Sequence, residues 1–255
     1  MKFIHMTDTH LLRDGEWFLG FDTQSRFERC VQSIREKHSD AHCIIVTGDI
    51  AERGEPEAYR HFHEQMATVG VPVYSIPGNH DLRHNYSSVF PKVWSDPSGF
   101  AQQAIRTPAG IFLLLDTLLD NSDAGTLCEH RLQWLSDQLI EFSSEPVFLF
   151  MHHPPFDLHM PAIDSIGLIN KEPFKTVIKS HLNIRHLFFG HAHRPVSGHW
   201  HGISFSSMSG TNHRAPLDLK GVGNMEVVDN PEYAIVIING DQLVVHTQSF
   251  LDDYC

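Results

Sequence analysis

No stretch of this 255-residue chain stays apolar for long enough to cross a bilayer. The opening "MKFIHMTDTH" passes from one lysine into a short strand-like run that soon meets Asp8 and His10. It therefore lacks the long apolar segment of a secretory leader, and the expected compartment is the cytoplasm. Cysteine is scarce: Cys30, Cys43, Cys128 and Cys255 are scattered without a short pairing. That spacing argues against a zinc knuckle or a redox pair and leaves reduced thiols as the expectation. Basic residues are in deficit, 19 against 31 acidic, for a formal net charge of -12. A binder of long nucleic acids needs a basic face to neutralise phosphates, so that class is disfavoured. An anionic ligand would need a local positive charge here, such as a metal ion. Repeats, low-complexity tracts and long linkers are missing too, and with 41% hydrophobic residues the chain reads as one globular domain over 1–255.

What the sequence has in excess is histidine, 20 in all. Those in "HSDAH", "YRHFH" and "HWHG" fit exposed helix or loop positions. Others follow a pattern. The runs "KFIHMT", "HCIIVTG", "VPVYSIP", "GIFLLLD", "PVFLFMHH" and "IRHLFFGHAH" are continuously apolar, as strands buried on both faces are. Between them lie helical segments. "TQSRFERCVQSIREKH" sets Phe27, Val31 and Ile34 on one stripe, with Thr23 or Asp22 as its cap; "EPEAYRHFHEQMATVG" runs to a glycine; "EHRLQWLSDQLIEF" aligns Leu132, Leu135 and Leu139. From about 196 to 250 the strands are joined by turns, "NGD" at Asn239 to Asp241 being a hairpin signal, and are expected to complete a second sheet. The expected fold is α/β: a two-layer β-sandwich flanked by helices. Excursions are expected at 84–99 and 120–126.

Polar residues stand just beyond the apolar runs. "DTH" brings Asp8 and His10, "GDI" brings Asp49, "GNHD" brings Asn79, His80 and Asp81, "MHHPP" brings His152, and "GHAH" brings His191 and His193. Singly, each has a plain reading as a turn residue or cap, and in "GNHD" the Gly and Asn suit a tight turn. In an α/β sheet, however, strand carboxyl ends share an edge, so these groups can converge. "DTH" and "GHAH" place two ligand-type side chains two residues apart, on the same side if the segment is extended.

In this order the motifs resemble those of the calcineurin-like metallophosphoesterases. "HHPPFDLHMPAIDSIGLIN", "GHAHRPVSGHWHGISF" and "GTNH" are similar to the class III cyclic nucleotide phosphodiesterases and the allied bacterial glycerophosphodiesterases. The resemblance implies two divalent cations, Mn, Fe or Zn: Asp8, His10 and His193 would hold one, Asn79, His152 and His191 the second, with Asp49 bridging. Two such ions ~3.5–4 Å apart lower the pKa of a shared water, so hydroxide attack on a small phosphodiester is the implied reaction. Catalytic roles fall on Asp49, Asn79 and His80, with His80 donating to the phosphoryl group or the leaving alkoxide and Asp81 either orienting it or capping a turn. His153 is expected to point outward. Phe156, His159, Asp164 and His213 are candidate substrate contacts, and Arg214 of "GTNHR" is within reach of the phosphate in this scheme. The segment after "DTH" is short and no extra domain is expected, so a lid would come from loops or a neighbouring subunit, with "EWFLGF" a candidate lid or homo-oligomer contact. The competing readings are a phosphomonoesterase on the same site and a catalytically silent metal-binding scaffold. A dinuclear hydrolase of the metallo-β-lactamase type would require an HxHxDH cluster, which is absent.

Overall fold

A computed structural model describes residues 1–91, 96, 98–223, 227 and 230–251. In chain order its elements are β1 (Lys2–Met6), β2 (Trp17–Phe18), β3 (Phe21–Asp22), α1 (Thr23–Lys37), β4 (Ile44–Thr47), α2 (Pro56–Ala67), β5 (Val73–Ile76), α3 (Arg83–Val89), β6 (Gln103–Thr107) and β7 (Gly110–Leu114). There follow α4 (Glu129–Glu141), β8 (Val147–Met151), α5 (Pro161–Asp164), α6 (Lys171–Ile178), β9 (Ile184–Phe189), β10 (Val196–Trp200), β11 (Ile203–Ser207), β12 (Glu232–Asn239) and β13 (Gln242–Ser249). One sheet runs β13-β12-β1-β4-β5 and the other β10-β11-β9-β8-β7-β6, with β2 and β3 forming a small hairpin.

The expected sandwich is therefore present, but its closing strands divide. β10 and β11 extend the second sheet beside β9, whereas β12 and β13 return to the first, β12 pairing antiparallel with β1 from Ala234 opposite His5 to Ile237 opposite Lys2. The expectation that 196–250 would complete a single sheet fails because strand sequences carry apolar pattern, not partner identity. The "NGD" hairpin is as expected: Asn239 pairs with Gln242 and Gly240 has φ 59°.

Continuous apolarity has a visible cause. Phe112, Phe148, Phe150 and Phe188 face the seam between the sheets, where Phe3 meets Phe112 at 5.0 Å and Phe150 stacks on Phe188 at 4.9 Å. The alternate residues Leu113, Leu149 and Leu187 face outward, under Leu135 and Leu139 of α4 and Phe174 of α6. The first sheet is covered by α1 and α2 through Phe27, Val31, Ile34, Tyr59 and Phe62. The cap of α1 is Asp22, which accepts from the Ser25 amide at 3.1 Å; Thr23 is buried and accepts instead from the Leu12 amide. Cys30, Cys43 and Cys128 are free thiols, while Cys255 and residues 92–95 and 97 of the expected excursion lie outside the described residues. Among the described residues no helix is long and apolar enough to cross a membrane.

A histidine inside the sandwich makes stability depend on pH. His186 is buried beside Ser206 at 2.9 Å, and burial, with nearby His199, pushes its imidazole down from 6.5 to about 4. The native state thus refuses a proton that the unfolded chain accepts, so this contribution is intact above 6.5 and is lost as pH falls towards 4. At pH 5 the loss amounts to about 2 kcal/mol. Urea unfolding at pH 7 and pH 5 should show His186→Gln losing about 2 kcal/mol less than the wild type over that interval. Equal losses would show that His186 does not titrate in this way.

Candidate metal centre

Seven of the strand-end side chains converge at the edge where β1, β4, β5, β8 and β9 end. Asp8, Asp49 and His152 are buried, and His10, His191 and His193 line the same space. The local backbone that brings them there is not extended. Asp8, His10, Asp49, His191 and His193 have φ of 54°, 46°, 50°, 65° and 47°, in the left-handed region that side chains seldom occupy. Each such residue costs of order 1–3 kcal/mol, so the edge concentrates strain at its polar positions. The same-side placement of Asp8 with His10, and of His191 with His193, is thus made by left-handed turns rather than by the strand geometry expected.

Hydrogen bonds fix which ring nitrogens face inward. His10 Nδ1 lies 2.6 Å from Glu52 Oε2 and His152 Nδ1 2.6 Å from the Thr47 carbonyl, so each donates outward and presents Nε2 to the centre. His10 Nε2 then faces His193 Nε2 at 3.0 Å. His152 Nε2 faces Asn79 Oδ1 at 3.0 Å and His191 Nδ1 at 3.3 Å. Asp49 Oδ2 lies 3.7 Å from His10 Nε2 and 3.3 Å from His152 Nε2, between the two sets. Asp8 Oδ1, 3.2 Å from His193 Nε2, is buried without a hydrogen-bond partner, as is His193 Nδ1. Lone pairs directed at lone pairs at these distances are repulsive unless a cation lies between them, so the residues fit divalent ions. Asp8, His10, Asp49 and His193 form one group able to hold an ion. Asn79, His152 and His191, with Asp49, form an adjacent one.

The carboxylates draw positive charge into the centre, a proton where no cation is bound: burial pushes the His152 imidazole down, but Asp49 and Asp8 outweigh it and hold it at about 9, so a cation binding there displaces that proton; His191, buried beside His152, falls to about 3. Burial raises both carboxyl groups, yet the imidazoles hold Asp8 and Asp49 below the usual carboxylate range. His80 stands at the rim. Its amide donates to Asp49 Oδ1 at 2.9 Å, and its Nδ1 is 3.0 Å from the Glu52 carbonyl and 3.3 Å from Glu52 Oε2. Burial lowers this imidazole, but Asp49 and Glu52 raise it above the ordinary histidine value.

Several sequence expectations are corrected. Asp81 does not orient His80: its carboxylate accepts from the amides of Ile50, Ala51 and Gly78 and from the Tyr59 hydroxyl, tying the β4 loop to the β5 loop. The carboxylate beside His80 is Glu52, which the sequence reading did not single out. His153 is buried, with Nδ1 2.8 Å from the Thr117 hydroxyl and Nε2 3.2 Å from the Asp123 carbonyl. Phe156 packs on Trp200 and Phe205 in the outer core, Asp164 accepts from the Leu158 amide, and His159 is exposed on the same loop; none of the three meets the imidazole cluster. His213 does: its ring lies 4.4 Å from that of His193 and 5.9 Å from that of His10, and Phe18 stacks on His10 at 5.4 Å.

The calcineurin-like phosphoesterase profile matches residues 1–195. A protein of Rhodopseudomonas palustris named "probable cyclic nucleotide phosphodiesterase" is 38% identical over 99% of this chain and 94% of its own length. One of Arcobacter nitrofigilis named "probable glycerophosphodiester phosphodiesterase" is 29% identical over 91% of this chain and 86% of its own. Among solved structures, a dimetal phosphatase from Danio rerio superposes with a TM-score of 0.75 at 18% identity, covering 98% of this chain and 96% of that one, a likeness of fold.

Gly78 offers a test of the packing. A Cβ there would stand 2.2 Å from Asp49 Oδ1 and 2.5 Å from the Asp49 amide, so glycine is required by close approach and not by turn angles as expected. Gly78→Ala should destabilise the fold by ~1–3 kcal/mol through overpacking. Gly70→Ala, at φ 79° with open space around it, should cost about 1 kcal/mol from the backbone alone. Denaturant unfolding measures both, and equal costs would contradict the steric argument.

Proposed function

Because the chain belongs to the calcineurin-like phosphoesterase family, we propose that it is a dinuclear-metal phosphodiesterase acting on small phosphodiesters of the cyclic nucleotide or glycerophosphodiester kind. The observation that carries this reading is the position of Asp49 Oδ2 between His10 Nε2 and His152 Nε2, one carboxylate shared by two sets of inward-facing donors. In this reading Asp8, His10 and His193 hold one cation, Asn79, His152 and His191 the other, and Asp49 serves both. Carboxylate and amide oxygen mixed with imidazole suits Mn, Fe or Zn rather than Ca. When bound, such a pair lowers the pKa of water and offsets charge on the phosphoryl oxygens.

The chain's own residues supply the rest. Thr47 and Glu52 keep the outward Nδ1 protons on His152 and His10, so the inward nitrogens stay available as donors. His80 Nδ1 donates to Glu52, so Nε2 carries a proton in the imidazolium form, which Asp49 and Glu52 favour. From the rim it donates to the departing alkoxide as the ester bond breaks. His213 and Phe18 wall the side of His10 and His193. The two relatives named as phosphodiesterases, both matched along nearly the whole chain, support a diester in place of a monoester.

Turnover of bis(4-nitrophenyl) phosphate and of 4-nitrophenyl phosphate by the Mn-loaded protein tests the reading. The diester should be preferred in kcat/KM. Preference for the monoester would make the protein a phosphatase, and no turnover of either with Mn, Fe or Zn would favour the silent scaffold. Glu52→Gln removes the charge that holds His10 and His80 together. Mn affinity measured by calorimetry should fall about 10–100-fold, the usual cost of losing a group that orients a ligand. Unchanged affinity would mean that Glu52 does not hold His10.

A further inference from the structure

His153 is a buried imidazole to which the two-cation reading gives no task. It directly follows His152, and with His152 and His191 it forms a further group of side chains close enough together to hold an ion. Its hydrogen bonds exclude that use. A carbonyl only accepts, so Nε2 carries a proton and donates it to the Asp123 carbonyl at 3.2 Å. The Thr117 hydroxyl accepts the His153 amide at 3.4 Å and donates its own hydrogen to Nδ1 at 2.8 Å. Both ring nitrogens are thereby engaged, and their partners belong to one loop, 117–125.

The ring so held is wedged against the second set of donors. Its centroid lies 4.7 Å from that of His191, tilted at 46°, and 4.9 Å from that of His152, edge-on at 87°. The same loop closes the opposite side: a Cβ on Gly125 would stand 2.4 Å from His153 Cγ and Nδ1, so the ring has no room to retreat. The loop itself is pinned, the Gly125 amide donating to the Gly167 carbonyl at 3.1 Å and the Gly125 carbonyl accepting the Ile169 amide at 2.8 Å. The first set is braced differently. Glu52 holds His10, and the rings of Phe18 and His213 lie beside His10 and His193. Among the described residues His153 makes no ring contact with His10 or His193. Because a close-packed interior passes displacement to the atoms it touches, a shift of His153 reaches His152 and His191 first.

We propose that His153 is a positioning residue that holds the His152 and His191 rings in place, so that the 117–125 loop sets the affinity of one cation site and not of the other. The proposal rests on the two-cation reading. Calorimetry of Mn binding to the metal-stripped protein tests it, with Asn79→Ala marking which binding event belongs to the second set. Two variants act on the wedge without touching a ligand. Thr117→Val removes the hydroxyl that engages Nδ1. Gly125→Ala, at a position outside the left-handed region, pushes the ring towards its neighbours. Each should weaken the event lost in Asn79→Ala about tenfold, the lower end of the cost of losing a group that orients a ligand, and leave the other within about twofold. Ring-nitrogen NMR of the metal-free protein should show His153 as the Nε2–H tautomer in the wild type and as a mixture in Thr117→Val, a response that general loosening of the fold would not give. If Gly125→Ala does not fold, Thr117→Val decides alone. Equal weakening of both events, no weakening of either, or an Nδ1–H tautomer in the wild type overturns the positioning role and leaves the two-cation reading standing. A wild type that takes up fewer than two Mn removes that reading and the proposal with it.

Discussion

Asp49 stands where every demand on this structure meets. Its carboxylate is buried, its backbone is held at φ 50°, one oxygen accepts the His80 amide, and the other looks at two imidazoles that belong to different loops. A buried carboxylate in contact with lone pairs is tolerable only with positive charge beside it. The surrounding design can be understood as providing that charge a place. Gly78 leaves room at 2.2 Å, Thr47 and Glu52 turn ring nitrogens inward, and the ends of five parallel-running segments are packed firmly enough to hold left-handed turns.

That packing is the task of the apolar strands. The phenylalanine seam fixes the two sheets against one another, and the leucines behind it fix α4 and α6, so the strand ends cannot drift apart to relieve the strain. Asp81 continues the same logic at shorter range. By accepting three amides and the Tyr59 hydroxyl it locks the loop carrying Asp49 to the loop carrying Asn79 and His80. Function is thereby coupled to fold through specific hydrogen bonds, and an acidic protein gains a site suited to anionic ligands without a basic surface.

Much of this was legible in the chain because the signal was local. A buried strand is an apolar run, and a polar residue at its end stands out against it, which is why the convergence of Asp8, His10, Asp49, Asn79, His152, His191 and His193 could be anticipated. What could not be read depends on tertiary context. Left-handed angles at Asp8 or His193 have no sequence mark, since Asp and His are ordinary in any turn. Glu52 sits among other acids in "AERGEPEAY", and nothing in that string separates the one that meets two histidines from those facing solvent. Phe156 reads identically whether a loop aromatic faces a ligand or, as here, Trp200 and Phe205. The division of the last strands between two sheets is likewise a matter of partners that apolar pattern does not name.

The central claim is that the strand-end cluster is built around two cations whose binding offsets its strain and repulsion. Thermal unfolding of the metal-stripped protein during a Mn titration tests this most directly, because an ion that binds only the folded state raises Tm. The account predicts a rise that saturates at two equivalents per chain and shrinks when Asp49 is replaced by Asn. A Tm that does not respond to Mn, Fe or Zn, or that responds equally in Asp49→Asn, would contradict it.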